Sequence, residues 1–208
     1  MRKYITEFIG TFFLVLTVGL TVTGGEPLAP IAIGSVLMVM IFAGGHISGG
    51  HYNPAVTLAV LVRGRITIKD AVPYWIAQFI AGVVAALIVK FLMGDKVPET
   101  AVPLTNISHP LIAELIGTFA LAYVVLNVAT SKATNGNSFY GLAIGFTVVS
   151  MAFALGPISG GAFNPAVALG AMLLNLKGLG DIWVYAVGCF GGGLLAGIVF
   201  RLLNPDDK

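Results

Sequence analysis

The sequence predicts an all-α membrane protein: six transmembrane helices plus two re-entrant half-helices, arranged as an inverted three-plus-three repeat. Three observations predict it. The chain of 208 residues is 57% hydrophobic and only 10% charged, with a mean hydropathy of +0.96. A soluble domain carries about 25% charged residues. Six apolar stretches are long enough to cross a bilayer, and the second half of the chain repeats the first. The repeat includes the tripeptide Asn-Pro-Ala, at Asn53, Pro54, Ala55 and again at Asn164, Pro165, Ala166.

A helix crosses the hydrocarbon core with about 20 apolar residues. The qualifying stretches are Tyr4–Thr23, Leu28–Ala43, Ala71–Met93, Leu111–Ala129, Phe139–Leu155 and Ile182–Leu203. Pro54–Val62 and Pro165–Leu174 are apolar but short. Nine or ten helical residues rise about 14–15 Å, against a core of about 30 Å. They read as half-helices that enter the membrane and return, with helices lying on the surface as the alternative. No secretory leader is expected, because Met1–Lys3 lead straight into the first span.

Lys and Arg set the orientation. Six spans put both termini on one side, with Arg2, Lys3, Arg63, Arg65, Lys69, Lys132, Arg201 and Lys208. The other side holds Lys90, Lys96 and Lys177. This bias predicts a multi-pass protein of the cell membrane with both termini in the cytoplasm. The single cysteine, Cys189, excludes an internal disulfide and a Cys-rich metal site. No basic stripe interleaved with aromatics is present, so no nucleic-acid partner is expected.

The internal repeat decides the architecture. Glu7-Phe8-Ile9-Gly10-Thr11-Phe12 recurs as Glu114-Leu115-Ile116-Gly117-Thr118-Phe119. Ile31-Ala32-Ile33-Gly34 recurs as Leu142-Ala143-Ile144-Gly145, and Asp70 and Tyr74 recur as Asp181 and Tyr185. From the second span onward the offset is constant at 111 residues. Each half holds three spans, so the second enters the membrane from the opposite side. Residues 1–208 are read as one channel domain of inverted repeats, about 1–94 and 108–208, related by a pseudo-two-fold axis in the membrane plane.

Asn-Pro-Ala suits the start of a half-helix. Asparagine is a strong N-cap residue, its side-chain oxygen accepting from an early backbone N–H. Proline fits the first helical position, where its missing N–H costs nothing. The amides of Asn53 and Asn164 are expected to keep two donors free. Inverted symmetry sets the two helix starts against each other near the midplane. Each carries roughly +0.5 charge, and two such ends facing one path repel cations, hydronium included. The preceding segments, Gly49-Gly50-His51-Tyr52 and Gly160-Gly161-Ala162-Phe163, are glycine-rich. Non-helical backbone at membrane depth must be buried or line a wet cavity. Their carbonyls are expected to form a ladder of acceptors along the pore.

The stretch His46-Ile47-Ser48-Gly49-Gly50-His51-Tyr52-Asn53-Pro54-Ala55-Val56-Thr57 is similar to the signature of the major intrinsic protein family, the aquaporins and glycerol facilitators. The Glu7 and Glu114 motifs and Ala77-Gln78 also resemble that family, and the resemblance covers essentially the whole chain. It implies a homotetramer with one pore per subunit and no cofactor, passing water and small neutral solutes. It also implies a selectivity filter at Ile33, Ala152, Gly161 and Val167. Here the chain departs from the pattern. The family places Arg directly after the second Asn-Pro-Ala, where this chain has Val167. Aromatic residues or a histidine at the first two positions are replaced by Ile33 and Ala152. The filter is therefore expected to be wide, uncharged and apolar, admitting glycerol, urea or ammonia as well as water.

Other residues divide between structure and chemistry. Glu7 and Glu114 lie within spans, where ionisable groups are costly and functional by default. A proton relay is one reading. A structural brace that accepts N–H bonds from the re-entrant loop fits their equivalent positions better. His51 is read as pore-lining, with pH gating as an extension. His46 is read as tying its loop to the bundle, and His109 as solvated at a span end. Gln78 is read as supporting the Asn53 loop, although its counterpart, Cys189, lends no symmetry argument. Gly10, Gly82, Gly117, Gly188, Gly192 and Gly193 are read as sites of close helix packing. Arg63 and Arg65 are read as interface anchors. An ion-leaky channel, a secondary transporter and a scaffold are the rival classes. Ala, Val, Gly and Tyr at the motif flanks argue against ion-coupled transport. No metal cluster or nucleophile–base pair indicates an enzyme.

Overall fold

The computed structural model describes residues 1–101 and 103–207. Lys208, counted in the charge bias above, lies outside them. Among the described residues, six helices are long and apolar enough to span a membrane. They are α1 (Arg2–Thr23), α2 (Ala29–Ser48), α4 (Ile68–Met93), α5 (Ser108–Ala129), α6 (Tyr140–Ser159) and α8 (Ile182–Leu203). Between them, α3 (Pro54–Arg63) and α7 (Pro165–Leu173) have 10 and 9 residues. Among the described residues there are no strands.

Hydropathy places α2 too short, ending it at Ala43, whereas the helix runs on to Ser48. Gly44 and Gly45 lie just past that hydropathy boundary and inside the helix. In the fold Gly44 has no side chain because the Tyr52 hydroxyl and Thr6 press against it. A close approach, not a chain reversal, requires that glycine.

The pairing of helices follows the repeat. α1 packs on α4 and α5 on α8, while α2 and α6 cross at Gly34 and Gly145. Tyr74 Oη donates to Ser48 O at 2.7 Å, and Tyr185 Oη donates to Ser159 O at 2.5 Å. The half-helices are each gripped from the opposite half. The Ala55 carbonyl lies against Gly193 of α8, and the Ala166 carbonyl against Gly82 of α4. A side chain at either glycine would push a half-helix off its seat.

The outer faces are apolar. Ile76, Ile80, Phe146, Phe153, Val187 and Leu195 are exposed. A contiguous apolar exterior of this extent marks a surface that faces lipid or another chain rather than water.

Both termini lie on one face. Lys3, Arg65, Asp70 and Lys132 border one cavity there, and Asp207 binds Arg65. We call this the terminal face and its opposite the distal face. Arg63, expected as an interface anchor, is instead buried at 5% exposure. Its guanidinium donates to Asp207 Oδ1 at 2.6 Å and to Thr130 O at 3.2 Å, and stacks on Phe200 at 4.6 Å. Hydropathy cannot register such a partner, because Asp207 is distant in sequence.

Asp207 also accepts from Ser131 Oγ and the Lys132 N–H, each at 2.8 Å. Burial raises its pKa, but these donors and Arg63 outweigh it and hold the carboxyl below the usual carboxylate range. The unfolded value is about 3.8, so the latch's contribution is whole above that pH and fades only as pH falls through the lower folded value. We predict that limited proteolysis finds the C-terminal tail protected at pH 7 and still at pH 4.5. Asp207→Asn opens it at both. Equal cleavage of the two proteins would disprove the latch.

Candidate functional site

The centre of the molecule is built from two matched loops. In the first, Gly49 and Gly50 have φ 89° and 62°; in the second, Gly160 and Gly161 have φ 90° and 64°. These are left-handed conformations that glycine adopts at no steric cost. Tyr52 and Phe163 follow at φ 47°, an uncommon state for a residue with a side chain.

Two devices hold them there. The Tyr52 ring fills the groove over Gly10, and the Phe163 ring fills the groove over Gly117; a Cβ on either glycine would collide with the ring. The second device is a carboxylate. Glu7 accepts from Ser48 Oγ (2.7 Å), His51 N (2.9 Å) and Tyr52 N (2.7 Å). Glu114 accepts from Ser159 Oγ (2.6 Å), Ala162 N (3.0 Å) and Phe163 N (2.7 Å). Both carboxylates are fully buried, so without them these backbone donors would be orphaned away from water.

Gln78 Nε2 joins the first set, donating to Glu7 Oε2 at 2.9 Å and Thr57 Oγ1 at 3.0 Å. Its counterpart proves informative after all: Cys189 Sγ donates to Glu114 Oε2 at 3.4 Å. Glutamine and cysteine look unrelated in sequence, yet each supplies a donor to the equivalent carboxylate.

The loops deliver the two asparagines. Asn53 Oδ1 accepts from Ala55 N at 2.8 Å, capping α3, and Asn164 Oδ1 accepts from Ala166 N at 3.0 Å, capping α7. Their amides cross between halves. Asn53 Nδ2 donates to Phe163 O at 2.8 Å, and Asn164 Nδ2 donates to Tyr52 O at 2.9 Å. This corrects the expectation of two free donors on each amide: one N–H is committed to the opposite loop and one remains. It also corrects the reading of Tyr52 and Phe163 as pore-lining. Their carbonyls are taken by the asparagines and their rings point into the helix packing.

A cavity of about 350 Å³ opens on the distal side and reaches Asn53 and Asn164. Ile33, Ala152, Gly161 and Val167 all line it, as do Gly50, His51, Gly160 and Ala162. A second cavity of about 850 Å³ opens on the terminal face and is lined by Gly49 and His46. His51 and Val125 belong to both walls, so the two cavities come closest there. His51 Nδ1 lies 3.0 Å from Thr57 Oγ1, which fixes the ring. Pro54, Ala55, Pro165 and Ala166 are not in either wall; Ala55 seats α3 against α8 and Ala166 seats α7 against α4. His109 is exposed at the start of α5.

The remaining wall is aliphatic: Leu14, Val18, Leu121, Val125 and Val148. The sequence did not single these out, because a pore face and a core face share the same residue types and helical spacing. Lys177 was also missed. It was counted only as a loop charge, yet it borders the distal cavity.

Apolar spans, two buried half-helices meeting at crossed asparagines, and a cavity on either side define a membrane channel. The comparisons place it further. A model of the major intrinsic protein family matches residues 1–200. The chain is 37% identical over 218 aligned residues to a probable aquaporin, TIP2-2, of Oryza sativa subsp. japonica, covering 97% of this chain and 86% of the relative. It is 36% identical to glycerol uptake facilitator protein-like 6 of Lactiplantibacillus plantarum, over the whole of both chains. Its fold matches the aquaglyceroporin from Plasmodium falciparum with a TM-score of 0.80 at 24% identity, covering 98% and 97% of the two chains. The chain belongs to the major intrinsic protein family.

Proposed function

We propose that this protein is a passive channel for water and small neutral solutes, with a wide, uncharged filter at Ile33, Ala152, Gly161 and Val167. The observation that carries the reading is the crossed asparagine pair between two cavities. Each asparagine caps a half-helix whose N-terminus carries partial positive charge. Two such ends at one point oppose any cation, while the remaining amide N–H of each can bind a solute oxygen. The side chains of Leu14, Val18, Leu121, Val125 and Val148 offer a solute no hydrogen bond, so that side of the path does not hold it.

The filter reading rests on Val167, which stands at the third position of α7 with only 5% exposure. It supplies neither charge nor donor. The matched Glu7 and Glu114 networks support reading the chain as two inverted repeats, and the two glutamates as structural braces rather than proton relays. The Lys and Arg bias supports cytoplasmic termini. The family resemblance and the apolar exterior support a homotetramer with one pore per subunit.

Reconstituted protein is expected to speed osmotic shrinkage of liposomes while remaining electrically silent in planar bilayers. Single-channel conductance steps would replace this reading with an ion channel.

A further inference from the structure

The four filter positions carry no charge, yet one cation shares their wall. Lys177 follows α7 in the loop that leads to α8, outside the spanning helices. It borders the distal cavity beside Gly156, Gly160 and Gly161. Its Nζ and Cε fill the space that a Cβ on Gly160 would occupy. Gly160 is the C-cap of α6 at φ 90°, where glycine is favoured, and the lysine tip stands in for the missing side chain. Among the described residues, no carboxylate forms an ion pair with Lys177. Burial lowers its pKa, while Glu114 and Asp181 pull in the other direction.

We propose that Lys177 is the charged specificity-determining residue of this channel, acting on the distal end of the filter from the loop beyond α7. The inference rests on the neutral-channel reading above and deepens it. Three features of the side chain fit the role. An ammonium offers three donors and no acceptor, so it binds the oxygens of polyols, amides and water. It is a point charge on a flexible four-carbon stem, not a broad planar fork. Laid along the Gly160 backbone, it leaves open the space made by Ala152 and Gly161. A charge is thus supplied without narrowing the path, and cations meet a first barrier before the half-helix ends. Screening by salt is weak at such a part-buried site.

The test uses the whole 208-residue chain in liposomes with three variants. Lys177→Cys is treated on both membrane faces with a bulky, uncharged methanethiosulfonate reagent that carries a benzyl group. Wild type serves as the control, because its one cysteine, Cys189, is fully buried. Glycerol uptake through Lys177→Cys is expected to fall at least fivefold on modification and to recover on reduction, each measured on the same vesicles. Lys177→Met is expected to raise proton flux under a pH gradient at least threefold over wild type, with Lys177→Arg restoring the low value. Absence of the block would place Lys177 outside the path, and an unchanged proton flux would deny it an electrostatic role. Either result overturns the proposal. Wild type that carries no neutral solute would instead sink the channel reading, while the proton-flux comparison would still decide on Lys177.

Discussion

Val167→Arg is expected to cut glycerol uptake at least tenfold while leaving water flow within severalfold of the parent. Val167 faces the distal cavity at 5% exposure, from the turn of α7 that Asn164 caps. Arginine there would add a permanent charge and five donors on a planar group. Its bulk would enter the space left by Ala152 and Gly161. Tenfold corresponds to only about 1.4 kcal/mol in the barrier, a small demand for a side chain placed in a path lined by alanine and glycine. Water, being smaller, still passes a narrowed ring. Stopped-flow light scattering with the two solutes on one preparation makes the comparison. Undiminished glycerol uptake through correctly folded Val167→Arg would move the constriction away from these four residues.

Glu114→Leu is expected to abolish or severely weaken folding. The substitution removes the acceptor for Ser159 Oγ and Phe163 N, both buried, and for Ala162 N, which is part-buried. An orphaned buried donor costs about 1–3 kcal/mol, so the two buried ones cost on the order of 2–6 kcal/mol and the part-buried one adds to that. That is comparable to the whole stability of a typical domain, about 5–15 kcal/mol. The left-handed Phe163 would also lose the bond that holds its backbone. Glu114→Gln keeps one acceptor oxygen and should recover much of the loss. Thermal unfolding in detergent should show a drop of about 10 °C or more for Leu, or no folded fraction by size exclusion. A melting temperature unchanged for Leu would remove the brace.

How far the sequence could be read depends on what each feature is made of. Span lengths and half-helix starts depend on local chemistry, and α8 falls on Ile182–Leu203 as its hydropathy indicates. The asparagine caps follow from the N-cap preference alone. Features set by contact between halves were harder to read. The second donor of each asparagine is committed because the opposing carbonyl sits 2.8–2.9 Å away, a fact of assembly rather than composition. Arg63 seemed to belong at the lipid interface until Asp207 came to meet it. Cys189 looked unlike Gln78 because the two share only a donor to a glutamate, not a shape. Lys177 was legible as a charge but not as a neighbour of Gly160, since the loop fold brings them together. The filter positions themselves came from counting along the resemblance, and all four line the distal cavity.

On the reading proposed above, neutral solutes larger than water pass a filter with no charged residue at position 167. Its most direct measurement is glycerol uptake into proteoliposomes by stopped-flow light scattering, wild type against empty vesicles. Rapid shrinkage is expected, followed by glycerol-driven reswelling at a rate well above the lipid background. Fast water flow with reswelling no faster than in empty vesicles would contradict it, and would mean that Ile33, Ala152, Gly161 and Val167 form a narrower ring than their side chains imply.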